Sequence, residues 1–158
     1  MANPIIDSLQ SEINGYFNLL YKFLDVCPLK LWNSTFGGWP IWQQLYHTLW
    51  VNDLFIPLES PPPLVDIPAE VTTLKVKGES PIPVDKMKKI IAESHKLTLA
   101  YLDSLTDQDL SAINNKVRNV MHQDWSHAAT IAKLSSHALY HIGIFDAALR
   151  EKNLPGVF

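Results

Sequence analysis

Cysteine is nearly absent. Cys27 is the single thiol in 158 residues, so the chain can form no internal disulfide and no four-cysteine zinc site. That usage fits a reducing compartment. Charge is also scarce. Charged residues make up 18% of the chain, below the usual figure of about 25%. Apolar residues make up 47%, and a chain so composed is not intrinsically disordered. With 13 basic and 16 acidic residues the net charge is -3. No basic excess exists to neutralise a phosphate backbone, which argues against nucleic-acid binding. No run approaches the roughly 18 consecutive apolar residues of a membrane span. The N-terminal stretch MANPIIDSLQSEI lacks the basic and apolar blocks of a secretory signal. A cytoplasmic protein without a membrane partner is therefore expected. Two metal-site motifs are missing as well. No HExxH occurs, and no Glu-x-x-His occurs, Glu93 and His95 being wrongly spaced. A zincin-type protease and a carboxylate-bridged di-iron bundle both fit poorly.

What is present is helical periodicity. A length of 158 residues suits one domain spanning 1–158, large enough to bury a core. From Ile5 to Val26, Ile6, Leu9, Ile13, Phe17, Leu20 and Leu24 recur at steps of three and four, and Pro28 stops the pattern. The loop PLKLWNSTFGG leads to a second helix from Ile41 to Phe55, with Pro40 suited to its first turn. Trp42, Leu45, Tyr46, Leu49, Trp50, Leu54 and Phe55 cover more than one of its faces. Such a helix belongs inside a bundle or at an oligomer interface.

A long connection from Pro57 to Pro83 carries seven of the eleven prolines and cannot be helical throughout. Val71 to Lys77 alternates weakly and reads as a short extended piece. A connection this long can return along a helix, so that the next helix runs parallel to the last. The third helix is expected from Val84 to Ser104, with a stripe of Met87, Ile90, Ile91, Ser94, Leu97, Tyr101 and Leu105. Thr106 and Asp109 read as the capped start of one short turn, and residues 111–125 carry no clear pattern. The fourth helix runs from Ser126 to Lys152 through Ile131, Leu134, Ala138, His141, Phe145 and Ala148, and Asn153, Pro155 and Gly156 end it. The expected architecture is all-α: a single four-helix bundle with a long crossover between its second and third helices.

The chemistry concentrates in histidines. His137 and His141 stand four apart in SHALYH, which places both on one helix face, about 6 Å apart along the axis. Such a pair can converge on a metal, or can simply bond to backbone or water. His47 lies midway along the least polar helix, where a buried imidazole must find a partner. One hydrogen bond would suffice. Alternatively, it completes a three-histidine set that leaves a coordination position open, the pattern of catalytic rather than structural metal sites.

Other candidates are weaker. His122 and His127 flank the start of the last helix in MHQDWSHAA, as solvated or capping residues or as a proton shuttle at a pocket mouth. His95 falls among Glu93, Ser94 and Lys96 and reads as surface, as does Asp146. Cys27 reads as packing, and Asp53 lies off the face of His47. Trp42, Trp50 and Trp125 read as core, one of them able to wall a pocket.

The combination of GGWPIWQQLYHTLW with HALYHIGIFDAALREKNLPG resembles the DinB-like family of four-helix metalloenzymes, a group that includes YfiT-like proteins and thiol-dependent transferases and isomerases. The resemblance implies that His47, His137 and His141 ligate one divalent transition metal ion, such as zinc, nickel, iron or manganese, with water in the remaining positions. It implies a homodimer. It also implies a thiol-dependent S-transferase, in which a low-molecular-weight thiol loses its proton at the open position and attacks an electrophilic small molecule. A hydrolase is a variant of the same design. The alternative is a non-catalytic bundle that binds metal or a small ligand in a stress response.

Overall fold

Helix α1 starts at a proline, where a missing N–H costs nothing, and runs Pro4–Val26. It buries Ile6, Ile13, Phe17, Leu20 and Leu24 along one stripe, and the computed structural model places it among three other long helices. The structure describes residues 3–158. After Pro28 the expected loop contains two small elements. A single turn, α2, spans Leu29–Trp32. Strands β1 (Thr35–Phe36) and β2 (Trp39–Pro40) then form an antiparallel hairpin. Its turn is Gly37-Gly38, with φ of 61° and 94°, and such a two-residue turn requires positive φ at both positions.

Helix α3 follows at Ile41–Phe55. Its near-total burial is achieved within the chain, because even its polar residues Gln43, Gln44, Thr48 and Asn52 are buried and engaged. Gln44 Nε2 donates to the carbonyls of Phe36 and Trp39, fastening the hairpin. Gln43 Nε2 donates to the carbonyls of Val71 and Val76, and Gln43 Oε1 accepts from the Gly78 amide. Asn52 Nδ2 donates to the Tyr16 hydroxyl on α1.

The crossover differs from expectation at one point. Val71–Lys77 is not extended. Ala69–Thr72 forms one helical turn, α4, after Pro68, and Leu74 follows in the left-handed region at φ 56°. Its backbone groups are satisfied locally and by Gln43 rather than by a neighbouring strand. The chain then returns to the start of α3. Gly78 lies against Trp42, with a Cβ there only 2.5 Å from the indole, and Trp32 Nε1 donates to the Ile82 carbonyl.

Helix α5 (Val84–Asp103) therefore starts at the same end as α3 and runs parallel to it, Asp53 meeting Ser94. It is antiparallel to α1, as the Lys88–Asp25, His95–Asn14 and Gln10–Asp103 contacts order the two helices oppositely. Thr106 donates its amide and hydroxyl to Asp109 Oδ2 as its spacing suggests. A 3-10 turn at Asp109–Ser111 and helix α6 (Asn115–Met121) occupy the stretch without a sequence pattern. Asn114 caps α6 and donates to the Phe55 carbonyl at the end of α3. Helix α7 (His127–Glu151) is capped by Ser126. Helices α1 and α3 each pack on α5 and α7, giving the four-helix bundle. Among the described residues no helix is long and apolar enough to cross a membrane.

Candidate metal centre

His47 projects from α3 toward α7. His137 and His141 project from α7 one turn apart, as their spacing requires. The three ring centroids lie 5.1 Å (His47–His137), 5.5 Å (His47–His141) and 4.8 Å (His137–His141) apart, all edge-on. One nitrogen from each ring lies within 4.8 Å of the others. Two nitrogens sharing one tetrahedral ion at 2.0–2.1 Å would stand roughly 3.4 Å apart, so small ring adjustments close the set. Among the described residues this is the one cluster of three or more metal-ligating side chains, and no carboxylate joins it.

The nitrogens are differentiated. His47 Nδ1 lies 2.8 Å from the Thr72 carbonyl oxygen. A carbonyl only accepts, so Nδ1 carries the proton and Nε2 keeps its lone pair. Nδ1 of His137 and Nδ1 of His141 are buried with no hydrogen-bond partner. Leaving such atoms unpaired costs about 1–3 kcal/mol each, and a metal ion ligated through Nδ1 would remove that deficit. Burial, then the neighbouring His47 and Lys133, pushes the pKa of His137 down to about 4. Burial, then His137 and His47, pushes that of His141 down to about 3. Burial also lowers His47, against the Thr72 bond that raises it. All three imidazoles are therefore neutral near pH 7, the form that ligates.

A cavity of about 490 Å³ opens at His137, walled by Val51, Phe55, Trp125 and Tyr140 and edged by Lys133 and Ser136. Trp125 is thus the tryptophan that walls this pocket, packed edge-on to Phe55 at 5.6 Å. His122 and His127 are not among the residues lining it. His122 is exposed at the left-handed end of α6. His127 begins α7, ten residues and about 15 Å before His137, and shares a 2.6 Å hydrogen bond with the Tyr101 hydroxyl.

Other residues read from sequence take different places. His95 is half-buried rather than freely exposed: it stacks on Phe17 at 4.2 Å and bonds to Asn14 Oδ1. Asp146 holds the C-terminus, accepting from the Val157 and Phe158 amides and from Arg150. Cys27 is half-buried, and burial pushes its thiol up to about 12, which makes it a poor nucleophile. Sequence reasoning missed Thr72 altogether. The only available signal is general, since the last carbonyls of a short helix lack an intrahelical partner.

The DinB superfamily matches residues 18–145. The chain belongs to that superfamily. The matched span begins inside α1, ends inside α7 and includes His47, His137 and His141. No curated protein and no solved structure matches the chain.

Proposed function

We propose that His47, His137 and His141 hold one divalent transition metal ion, and that the chain is a metal-dependent enzyme acting on a low-molecular-weight thiol. Its most concrete form is an S-transferase that joins the thiol to an electrophilic small molecule, with a hydrolase as the variant. The observation that carries the reading is the pair of unpartnered, buried Nδ1 atoms on His137 and His141 beside a His47 whose tautomer is fixed by Thr72. Three imidazoles suit zinc, nickel, iron or manganese. A divalent ion bound there acts as a Lewis acid that lowers the pKa of a thiol or water brought to it.

The chain's own residues supply the rest. The Thr72 carbonyl orients the His47 ring, as partners behind metal-ligating histidines do. Burial holds the three rings neutral. Val51, Phe55 and Trp125 keep the approach apolar, and Lys133 places a positive charge at its rim. A homodimer and a cytoplasmic setting, where small thiols stay reduced, belong to the same proposal. Exposed Leu139 and Tyr140 on α7 offer apolar surface for a second copy.

One observation favours a second reading. Among the described residues no carboxylate joins the cluster, so a proton acceptor beside it is lacking, as suits a non-catalytic metal- or small-ligand-binding bundle. The test is to mix metal-loaded protein with glutathione or cysteine and chlorodinitrobenzene and follow thioether absorbance. Acceleration that vanishes in His47→Ala supports the transferase. No acceleration with bound metal favours the binding protein.

A further inference from the structure

Helix α3 presents a second functional face. His47, Val51 and Phe55 recur every four residues toward α7. Tyr46, Leu49, Trp50 and Asp53 recur at steps of three and four on a different side, toward α5. This second side lines a cavity of about 310 Å³. Its remaining walls are Leu54 of α3, Ser60–Leu64 of the crossover, Ile90 and Glu93 of α5, and Lys116 of α6. The volume is at the low end of the range of small-molecule sites, roughly 300–1,000 Å³. None of the three histidines lines it.

Its polar groups are unevenly satisfied. Tyr46 is only 8% exposed, lines the cavity, and its hydroxyl has no hydrogen-bond partner among the described residues. The hydroxyl oxygen is not itself buried; it is accessible and free to bond at the cavity. Asp53 accepts one bond at Oδ1, from the Ser94 hydroxyl at 3.0 Å. Neither Asp53 nor Glu93 has an ion-pair partner among the described residues. Lys116, the cation nearby, is committed elsewhere: its Nζ donates to the carbonyls of Asp53 and Ile56 at 2.9 and 2.7 Å, closing the end of α3. The cavity therefore joins two unpaired carboxylates and a phenol to walls of Trp50, Leu54 and prolines.

We propose that this cavity binds a small organic ammonium compound, a primary amine carrying an apolar or aromatic body. The ammonium sits between Asp53 and Glu93 and donates to them by charge-assisted hydrogen bonds. Tyr46 accepts a further N–H. The body packs on Trp50 and the proline segment, where the indole face also favours a nearby cation. The negative charges discriminate against an anion, and an uncharged alcohol leaves them uncompensated. A bare metal ion is a poorer occupant, because among the described residues no third His, Cys, Asp or Glu converges with the two carboxylates. Desolvation, Glu93 and the apolar walls strain the Asp53 charge, pushing its pKa up to about 6 against the Ser94 bond and Lys116, and a bound cation relieves that strain.

The test is isothermal titration calorimetry on the metal-loaded full chain with phenethylamine, phenylethanol and phenylpropionate. The expected result is one site for phenethylamine, with the alcohol and the acid at least about tenfold weaker. Asp53→Asn weakens phenethylamine by at least about tenfold, and Glu93→Gln by a smaller factor. Both variants keep the metal content of the wild type, which separates this site from the histidine centre. Phenylethanol binding as well as the amine overturns the proposal. So does no amine binding up to about 10 mM, or amine binding unchanged in Asp53→Asn. The comparison of amine with alcohol uses wild-type protein alone, so the test stands even where a variant fails to fold.

Discussion

His47 Nδ1 donates to the carbonyl oxygen of Thr72 at 2.8 Å, and through that bond the proline-rich crossover orients a histidine of the central helix. The connection between α3 and α5 thus has two roles. It lets the two helices run parallel, and its one helical turn presents the carbonyl that fixes the His47 tautomer. Gln43 anchors this turn by three hydrogen bonds, to Val71, Val76 and Gly78.

Gln43→Ala should therefore affect both stability and metal. The side chain is fully buried, and losing it leaves the Val76 carbonyl and the Gly78 amide unpaired while the Val71 carbonyl keeps its bond from the Leu74 amide, for about 2–4 kcal/mol of stability. Displacing Thr72 should also weaken metal binding by roughly tenfold or more. Urea denaturation of the metal-free protein and a chelator-competition titration check the two effects separately. A variant that loses stability but keeps full metal affinity would show that Thr72 does not orient His47.

Gly78→Ala tests the same connection from its other side. The added Cβ falls 2.5 Å from the buried Trp42 indole, so either the ring or the crossover must shift, at about 1–3 kcal/mol. Thermal denaturation should show the loss. An unchanged melting temperature would mean that the crossover is not held against α3 as described.

The metal-free protein should lose stability in mild acid. In the folded chain His137 and His141 titrate near 4 and 3, below the ordinary value of 6.5. As pH falls below 6.5 the unfolded chain takes up protons that the folded chain refuses. Stability is therefore full above that value and falls as pH drops, by up to about 1.4 kcal/mol per pH unit per histidine. Denaturation at pH 7.5 and pH 5, with His137→Phe/His141→Phe beside the wild type, checks this. The double variant should show the shallower dependence, and equal slopes would contradict the burial of these rings.

Asp53 works in the opposite sense. Burial raises its pKa from 3.8 to about 6, so the folded state holds a proton that the unfolded state has released. Its ionisation costs stability as pH rises from 3.8 through 6, and the full cost persists above that. Asp53→Asn keeps an oxygen to accept from Ser94 and removes the charge. It should stabilise the fold at pH 8 by about 1–2 kcal/mol after allowing for solvent screening, and have little effect below pH 4. Chemical denaturation at both pH values reads the difference. Destabilisation at pH 8 would show that Lys116 offsets the burial cost.

The four long helices were legible because each repeats its apolar residues over many turns. Pro28 and Ser126 mark a stop and a start that the structure keeps. The parallel course of α3 and α5 followed from connection length alone. The convergence of His47 with His137 and His141 is one of two readings left open by spacing and burial, and the resemblance to the DinB-like family favours it. The rest depended on tertiary contacts. Four residues of α4 are too few to show a period, and Val71–Lys77 alternates without a strand to pair with. His95, flanked by polar neighbours, is drawn inward by stacking on Phe17. The Asp53 cavity exists only where the crossover folds over α3 and α5.

The central claim is that three histidines make a metal centre. Elemental analysis of metal per chain, on protein purified without a histidine tag, tests it most directly for the wild type and His137→Ala. The account predicts near one equivalent in the wild type and little in the variant. No metal in the wild type and no uptake on reconstitution, or equal metal in His137→Ala, would contradict it.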